Sequence, residues 1–171
     1  MQSTPVSDWV RRHAHLIEAK GAVLDLAAGS GRHTRFFKDL GHRVTAVDRD
    51  VSRLANLAGD PAVEAIVADL ETGSPWPLEE RRFAGIVVTN YLHRPLLPRL
   101  ADALVPGGIL IYETFGLGNE RFGKPRNPDF LLRPGELLDF AQDFDLTVLA
   151  YHCGEVALPH PAMLQRSVLR K

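Results

Sequence analysis

The feature that most constrains the fold of this chain is a regular alternation of short, β-rich apolar runs with segments of helical apolar spacing. The apolar runs lie at residues 22–26, 42–47, 63–67, 83–89 and 109–112, and the helical segments between them lie at residues 36–40, 51–58 and 98–104. Strands that alternate with helices through short connections predict a mostly parallel sheet that helices cover on both faces.

The carboxyl-terminal part adds a helix candidate at residues 134–142 and two further β-rich runs at residues 146–152 and 165–169. These last two runs are close enough in sequence to form an antiparallel pair at one edge of the sheet. The sequence therefore predicts a single Rossmann-like, doubly wound α/β domain over residues 1–171, with about seven strands and an antiparallel edge strand.

Two segments flank or interrupt this pattern. Residues 1–20 are expected to form an amino-terminal helical segment. Residues 115–132 form a long irregular stretch, and loops of that length inside a compact domain tend to be functional. We therefore expect residues 115–132 to form a substrate lid.

The charge balance argues against a partner that binds through net charge alone. The 171 residues carry 20 basic and 21 acidic side chains, for a formal charge of −1, so no net field draws the chain onto nucleic acid or an anionic membrane. Residues 1–20 contain no apolar run of signal-peptide length, and a cytoplasmic location without a membrane partner is expected. The single Cys153 excludes an internal disulfide.

A glycine-bearing turn at residues 25–31 follows the first apolar run and precedes a helix. Gly29 and Gly31 lack the Cβ atoms that would hold a ligand away from the backbone amides. Asp48 closes the second run, where a carboxylate can accept hydrogen bonds from both hydroxyls of a ribose. The sequence therefore predicts an adenosine-containing cofactor at this turn.

Asp25 and Thr34 discriminate between adenosine cofactors. A dinucleotide fingerprint places a third glycine where Thr34 stands, and the carboxylate of Asp25 would repel a pyrophosphate. The same carboxylate attracts the sulfonium and ammonium groups of S-adenosylmethionine. Asp69 ends the third run and is expected at the adenine end of the pocket, where Leu70 covers the base.

Four segments resemble the motifs of the class I S-adenosylmethionine-dependent methyltransferases. They are residues 23–31, in which Ala27 replaces a frequent glycine, and residues 47–48, 68–70 and 105–110. Residues 90–95 and 113–115 are similar to small enzymes of the tellurite-resistance methyltransferase type. The resemblance implies S-adenosylmethionine as the cofactor. The residues expected to contact it are Asp25, Ala27, Gly29, Gly31, Asp48, Arg49, Asp69, Leu70 and Asn90.

The candidate catalytic residues leave the fourth run toward the expected reaction centre. They are Tyr91, His93 and Arg94, and His93 is the candidate base for an acceptor whose nucleophile starts protonated. The long loop carries a positive bias that can receive an anionic substrate, from Arg121, Lys124, Arg126 and Arg133. We therefore expect a small-molecule acceptor, with anions and metalloid oxyanions as leading candidates.

Three alternatives remain open at this stage. The first is an RNA methyltransferase, which the lack of an appended RNA-binding domain disfavours. The second is a nicotinamide-dependent oxidoreductase in which Arg49 reads a 2′-phosphate, although no substrate domain is present. The third is a nucleotide-binding module without catalysis. No metal site is predicted, because His152 and Cys153 are neighbours on a predicted strand and point to opposite faces.

Overall fold

The computed structural model describes residues 5–157 and 159–171, which contain a seven-stranded sheet in the order β3-β2-β1-β4-β5-β7-β6. The strands are β1 (Val23–Leu26), β2 (Val44–Asp48), β3 (Val63–Val67), β4 (Phe83–Thr89), β5 (Leu104–Phe115), β6 (Thr147–Val156) and β7 (Ala162–Arg170). Strands β1 to β5 pair in parallel, and β7 pairs antiparallel with both β5 and β6. The predicted α/β fold with an antiparallel pair at one edge is confirmed.

Four α-helices cover the two faces of the sheet, and both faces are apolar. The helices are α1 (Asp8–His13), α2 (Arg32–Asp39), α3 (Leu97–Ala103) and α4 (Glu136–Asp143). One core contains Val23 and Phe37 on the side of α1 and α2, and the other contains Leu24 and Phe140 on the side of α3 and α4. Successive strand residues alternate between faces, so β1 is buried along its whole length.

The second crossover differs in type from the expected α-helix. It is a 3₁₀ helix at Ser52–Leu57, whose buried residues are Leu54 and Leu57. Their spacing of three matches the 3.0 residues per turn of a 3₁₀ helix. The side chain of Asp50 accepts a hydrogen bond of 2.9 Å from the Ser52 N–H at its start.

Strand β5 is much longer than the predicted run at residues 109–112. It continues to Phe115, because Glu113 pairs with Thr89 of β4 on one side and with Arg166 of β7 on the other. In the amino-terminal segment, α1 is followed by a 3₁₀ helix at Ala14–Leu16, while residues 1–4 lie outside the described residues. No helix in the described chain has the length and apolar character needed to cross a membrane.

Candidate active site

The turn after β1 requires glycine at one position and leaves space at another. Gly31 has φ +73° and is the N-cap of α2, and a Cβ atom there would clash with the Leu54 Cδ2 atom. Gly29 has φ +55°, and a Cβ atom at this position would meet no atom within 4 Å. The backbone of Gly29 therefore faces open space, into which a ligand can approach.

The carboxylate of Asp48 holds this turn against the end of β2. Its Oδ2 atom accepts a hydrogen bond of 2.8 Å from the Gly29 N–H, and its Oδ1 atom accepts one of 3.0 Å from the Asp50 N–H. A carboxylate offers about four lone-pair sites. Asp48 therefore keeps acceptor capacity for two ligand hydroxyls while its position is fixed by the backbone.

A cavity of about 220 Å³ opens beside Asp48 at the carboxyl ends of the strands. Its lining residues are Ala27, Asp48, Arg49, Ala68, Asp69, Leu70, Glu71 and Tyr91. Five of the nine expected cofactor residues therefore line one cavity. Tyr91, expected on the acceptor side, lines it as well. The sequence did not single out Glu71, although its position two residues after Asp69 could have suggested it.

The hydroxyl of Tyr91 is buried and has no hydrogen-bond partner among the described residues. Its burial and the nearby Glu71 carboxylate raise the pKa of Tyr91, so the hydroxyl stays protonated and acts as a donor. The backbone carbonyl of Tyr91 accepts a hydrogen bond of 2.8 Å from the Tyr112 hydroxyl, which fixes this segment. A buried donor without an acceptor costs about 1–3 kcal/mol. A nucleoside in the cavity supplies acceptor atoms, so the residues present fit such a ligand.

Asp25 lies beneath the turn and outside the lining of the cavity. Only 2% of the residue is exposed, and its Oδ2 atom accepts a hydrogen bond of 2.6 Å from the Thr34 hydroxyl. Burial raises the pKa of Asp25 to about 6, although the bond from Thr34 acts in the opposite direction. In this structure Asp25 supports the turn and the start of α2 from below.

Asn90 also lies outside the lining. It has φ +55° and turns the chain immediately after β4. Its N–H donates a hydrogen bond of 2.9 Å to the Glu113 carbonyl, which ties this turn to β5.

Arg94 is placed differently from its expected role as a substrate-facing cation. Its Nε and Nη2 atoms donate to the carboxylate of Glu136 at 2.6 and 3.0 Å. Its Nη1 and Nη2 atoms also donate to the carbonyls of Asp129 and Leu131 at 2.8 and 2.9 Å. These bonds use four of the five guanidinium N–H groups. Arg94 therefore fastens the long loop to α4 and has little capacity left for a substrate anion.

The remaining candidates are spread over the loop and its neighbours. His93 is half-buried and precedes the 3₁₀ helix Arg94–Leu96. Arg121 pairs with Glu155 at 2.7 Å. Lys124 and Arg126 are exposed, and Arg133 lies 3.6 Å from the carboxylate of Glu136. The structure therefore does not gather these cations into one site.

The base of the loop at residues 115–132 is fixed to the sheet. Gly116 and Leu132 form a β-bridge, and the Leu117 N–H donates to the Leu132 carbonyl at 2.9 Å. The side chain of Asn119 is buried, where it accepts a hydrogen bond of 3.2 Å from the Met163 N–H and donates one of 3.3 Å to the Pro125 carbonyl. Residues 120–130 between these anchors are mostly exposed.

The sheet order, the glycine turn after β1 and the acids at the carboxyl ends of β2 and β3 are typical of a nucleoside-binding class of α/β protein. A family model described as "Methyltransferase domain" matches residues 23–108, a span that contains every residue of the cavity lining. The chain belongs to this family of methyltransferase domains, within the class I S-adenosylmethionine-dependent methyltransferases that the sequence resembles.

Comparison with individual proteins agrees with this placement. The chain is 32% identical over 103 residues to a trans-aconitate 2-methyltransferase of Paracidovorax citrulli, an alignment that covers 55% of this chain and 38% of that protein. The chain thus spans well under half of the length of this curated relative.

Solved structures share the fold over nearly the whole chain. TehB from Haemophilus influenzae superposes with a TM-score of 0.78 at 19% identity, covering 99% of this chain and 63% of that one. A Burkholderia thailandensis 1,6-didemethyltoxoflavin-N1-methyltransferase, with 1,6-didemethyltoxoflavin and S-adenosylhomocysteine bound, superposes with a TM-score of 0.70 at 25% identity. That superposition covers 95% of this chain and 76% of that one.

Proposed function

We propose that this protein transfers the methyl group of S-adenosylmethionine to a small-molecule acceptor. The observation that carries the proposal is the cavity beside Asp48, whose walls include that fixed carboxylate and Tyr91, a residue whose buried hydroxyl has no hydrogen-bond partner among the described residues. One group accepts and the other donates hydrogen bonds, as a ribose and a purine require.

Each lining residue has a distinct part in this proposal. Asp48 accepts from the ribose hydroxyls, Asp69 and Leu70 contact the base, and Tyr91 donates to an acceptor atom of the nucleoside. Arg49, Ala27 and the open backbone of Gly29 complete the wall. Asp25 stabilises the turn from below and adds negative potential under a cationic ligand whenever it is ionised.

Bound S-adenosylmethionine supplies an electrophilic methyl group on a sulfonium, and the reaction is an in-line displacement by the acceptor. The contribution of the protein is then to align the acceptor atom, the methyl carbon and the sulfur in a site that excludes water. In this proposal, His93 is the candidate base and residues 115–132 close over the acceptor.

The finer proposal is that the acceptor is an anion, such as a carboxylate-bearing metabolite or a metalloid oxyanion. The names of two relatives, a methyltransferase of trans-aconitate and one of 1,6-didemethyltoxoflavin, support a small molecule. Arg94, the cation expected from the sequence to face the substrate, is bound to Glu136. In this proposal other cations therefore bind the anion.

The test is a screen for S-adenosylhomocysteine release with tellurite, trans-aconitate, an N–H heterocycle such as 1,6-didemethyltoxoflavin, and a short structured RNA. We expect turnover with at least one small molecule and none with the RNA. Titration calorimetry with S-adenosylhomocysteine and with nicotinamide dinucleotides accompanies the screen. Tight binding of a dinucleotide without binding of S-adenosylhomocysteine would overturn the proposal.

A further inference from the structure

A row of polar side chains crosses the carboxyl end of the sheet on the face covered by α1 and α2. Thr89 of β4 lies directly opposite Glu113 of β5, Glu113 lies opposite Arg166 of β7, and Arg166 lies opposite His152 of β6. Directly opposed residues of neighbouring strands share a face. The next row on the same face is apolar and fully buried: Val87 and Ile111, two residues earlier along β4 and β5, and Val168, two residues later along the antiparallel β7.

In the central pair of this row Glu113 is buried and Arg166 is partly buried, and the pair is incompletely hydrogen-bonded. The Glu113 side chain is 10% exposed, and the Arg166 Nη1 atom lies 3.5 Å from its carboxylate, which is longer than an N–H···O hydrogen bond. The Nε atom of Arg166 is buried and has no partner among the described residues. Buried charged groups are normally both paired and hydrogen-bonded. This pair therefore has hydrogen-bonding capacity that the described residues do not use.

The neighbours of Arg166 fix the orientation of its guanidinium but do not use all of its hydrogen-bond donors. Its Nη2 atom lies 3.2 Å from the His152 Nδ1 atom, and burial together with Arg166 lowers the pKa of His152, so the imidazole is neutral and accepts. The guanidinium carbon lies 5.0 Å from the ring centre of Trp9 on α1. An arginine stacked in this way has a defined orientation.

A second guanidinium approaches the other end of the row. The Nη2 atom of Arg32 donates to the Thr89 hydroxyl at 3.4 Å, and its Nη1 atom donates to the Pro5 carbonyl at 3.0 Å. His33 beside it is neutral, because burial and Arg32 lower the pKa of His33 to about 3. Two guanidinium groups and one carboxylate leave the row with one net positive charge.

The row lies beside the cavity that the proposed function assigns to the cofactor. The cavity is lined by residues at the ends of β1, β2 and β3 and by Tyr91 just after β4, and the row begins at the end of β4. Glu113 is three strands from Asp48, which corresponds to about 14 Å at normal strand spacing. A cofactor that starts at Asp48 and extends across β1 therefore directs its reactive end toward β4 and β5.

We propose that Glu113 and Arg166 form the acceptor subsite of this enzyme, and that it takes small molecules with an N–H or O–H nucleophile beside an anionic oxygen. Arg166, assisted by Arg32, holds the anionic oxygen, and Glu113, in place of His93, accepts the proton of the nucleophile. The lone pair of the nucleophile forms the bond to the methyl carbon as the carbon–sulfur bond breaks. The electron pair of that bond returns to sulfur, giving neutral S-adenosylhomocysteine, while the proton goes to Glu113.

This inference rests on the proposed function, and a binding experiment tests the two separately. Lactate and propionate share a carbon skeleton and a carboxylate, but only lactate carries a hydroxyl beside it. Both are titrated by NMR into the protein saturated with S-adenosylhomocysteine, for the wild type, Glu113→Gln, Arg166→Met and the matched control Glu155→Gln. Glu155 is an exposed acid of β6, so it controls for the loss of one negative charge.

We expect the wild type and Glu155→Gln to bind lactate at least threefold more tightly than propionate. Glu113→Gln should bind propionate more tightly than the wild type does, because a repelling carboxylate is gone, and it should lose the preference for lactate. Arg166→Met should weaken both ligands at least fivefold. Affinity for S-adenosylhomocysteine should stay within twofold in all variants, which a collapsed fold would not permit.

Turnover supplies a second readout once the acceptor screen has found a substrate. Glu113→Gln should lower kcat at least 100-fold, the scale of general-base catalysis, with the KM for S-adenosylmethionine unchanged. Equal weakening of lactate and propionate in Glu113→Gln would overturn the subsite, as would a larger loss of kcat in His93→Gln. If the wild type binds S-adenosylhomocysteine but neither lactate nor propionate, the subsite is overturned while the proposed function stands. Failure to bind S-adenosylhomocysteine overturns the proposed function and this inference together.

Discussion

The Gly29 N–H donates a hydrogen bond of 2.8 Å to the carboxylate of Asp48 and joins the glycine turn to the end of β2. Two elements that are 19 residues apart in sequence are thereby held as one wall of the cavity. The residue proposed to hold the ribose also holds the backbone that the ligand approaches. Loss of its side chain therefore affects ligand affinity in two ways.

Asp48→Ala should weaken binding of S-adenosylhomocysteine by about 10- to 100-fold, corresponding to the loss of charged hydrogen bonds worth about 1.5–3 kcal/mol. Asp48→Asn should lose less affinity than Asp48→Ala, because its amide oxygen can still accept a hydrogen bond from the Gly29 N–H. Titration calorimetry measures both, with the exposed Asp50→Asn as a control that retains the acceptor for Ser52. Unchanged affinity in folded Asp48→Ala would remove Asp48 from the site.

Tyr91→Phe should change stability and affinity in opposite directions. The Tyr91 hydroxyl has no hydrogen-bond partner among the described residues, so its removal should leave the free energy of unfolding unchanged or raise it by up to about 1 kcal/mol. Affinity for S-adenosylhomocysteine should fall about 5- to 30-fold, since the donor to the nucleoside is lost. Urea unfolding and calorimetry give the two values. A fall in stability with unchanged affinity would make the hydroxyl a structural group.

Arg94→Ala should be costly for stability and leave cofactor affinity nearly unchanged. It removes two hydrogen bonds from the carboxylate of Glu136, whose side chain is 6% exposed and which keeps the Arg133 N–H as a donor. Removing one partner of a buried pair typically costs 3–5 kcal/mol, and partial exposure of Arg94 reduces this to about 2–3 kcal/mol. Urea unfolding measures the loss. Arg94→Lys should recover part of it, and a fully stable Arg94→Ala with impaired turnover would restore the expected role of Arg94 in acceptor binding.

Asp25→Asn should alter how stability depends on pH. The pKa of Asp25 is about 6 in the folded protein against a reference of 3.8, so the folded state binds this proton more tightly than the unfolded chain. The contribution of Asp25 to the free energy of unfolding therefore falls as pH rises from about 4 to about 6 and is constant above. Relative to that of the wild type, the free energy of unfolding of Asp25→Asn should rise by on the order of 3 kcal/mol between pH 4 and pH 6. A pH-independent difference in urea unfolding would contradict this.

The proposed lid should show two zones in hydrogen exchange. Amides at its anchors, such as Leu117 and Leu132, should be protected with or without ligand because they are bonded to backbone carbonyls. Amides within residues 120–130 should exchange readily in the free protein and become protected when cofactor and acceptor are both bound. Equal, high protection of residues 120–130 in both states would identify a static loop.

The local sequence pattern was sufficient to predict most of the sheet, but it did not predict the partners of polar side chains. Strands at residues 63–67 and 83–89 have the predicted bounds, because each is a β-rich run between turn residues. Strand β5 continues past the predicted end because its polar Glu113 is paired on both sides by strands distant in sequence. No local signal reports that pairing.

The candidate site shows the same division between local and distant information. That Asp48, Asp69 and Leu70 line one cavity could be predicted, because strand-end positions meet at one edge of a parallel sheet. The contacts of Arg94 could not be predicted, since Glu136 lies 42 residues away and only the folded loop brings the two together. Asp25 is hydrogen-bonded to Thr34 at the start of α2. Its position near the end of a strand does not reveal whether its carboxylate is buried or faces the cavity.

The long loop is anchored at both ends, so the residues between its anchors, 120–130, can be replaced by other sequences. Asn119 fastens one side to β7 through Met163, and Arg94 fastens the other through the carbonyls of Asp129 and Leu131. Sequence and length between these points can change at a small cost, because loop-closure entropy grows only with the logarithm of length. If residues 115–132 form the proposed lid, grafting other tips onto these anchors should change acceptor specificity and leave the cavity beside Asp48 intact.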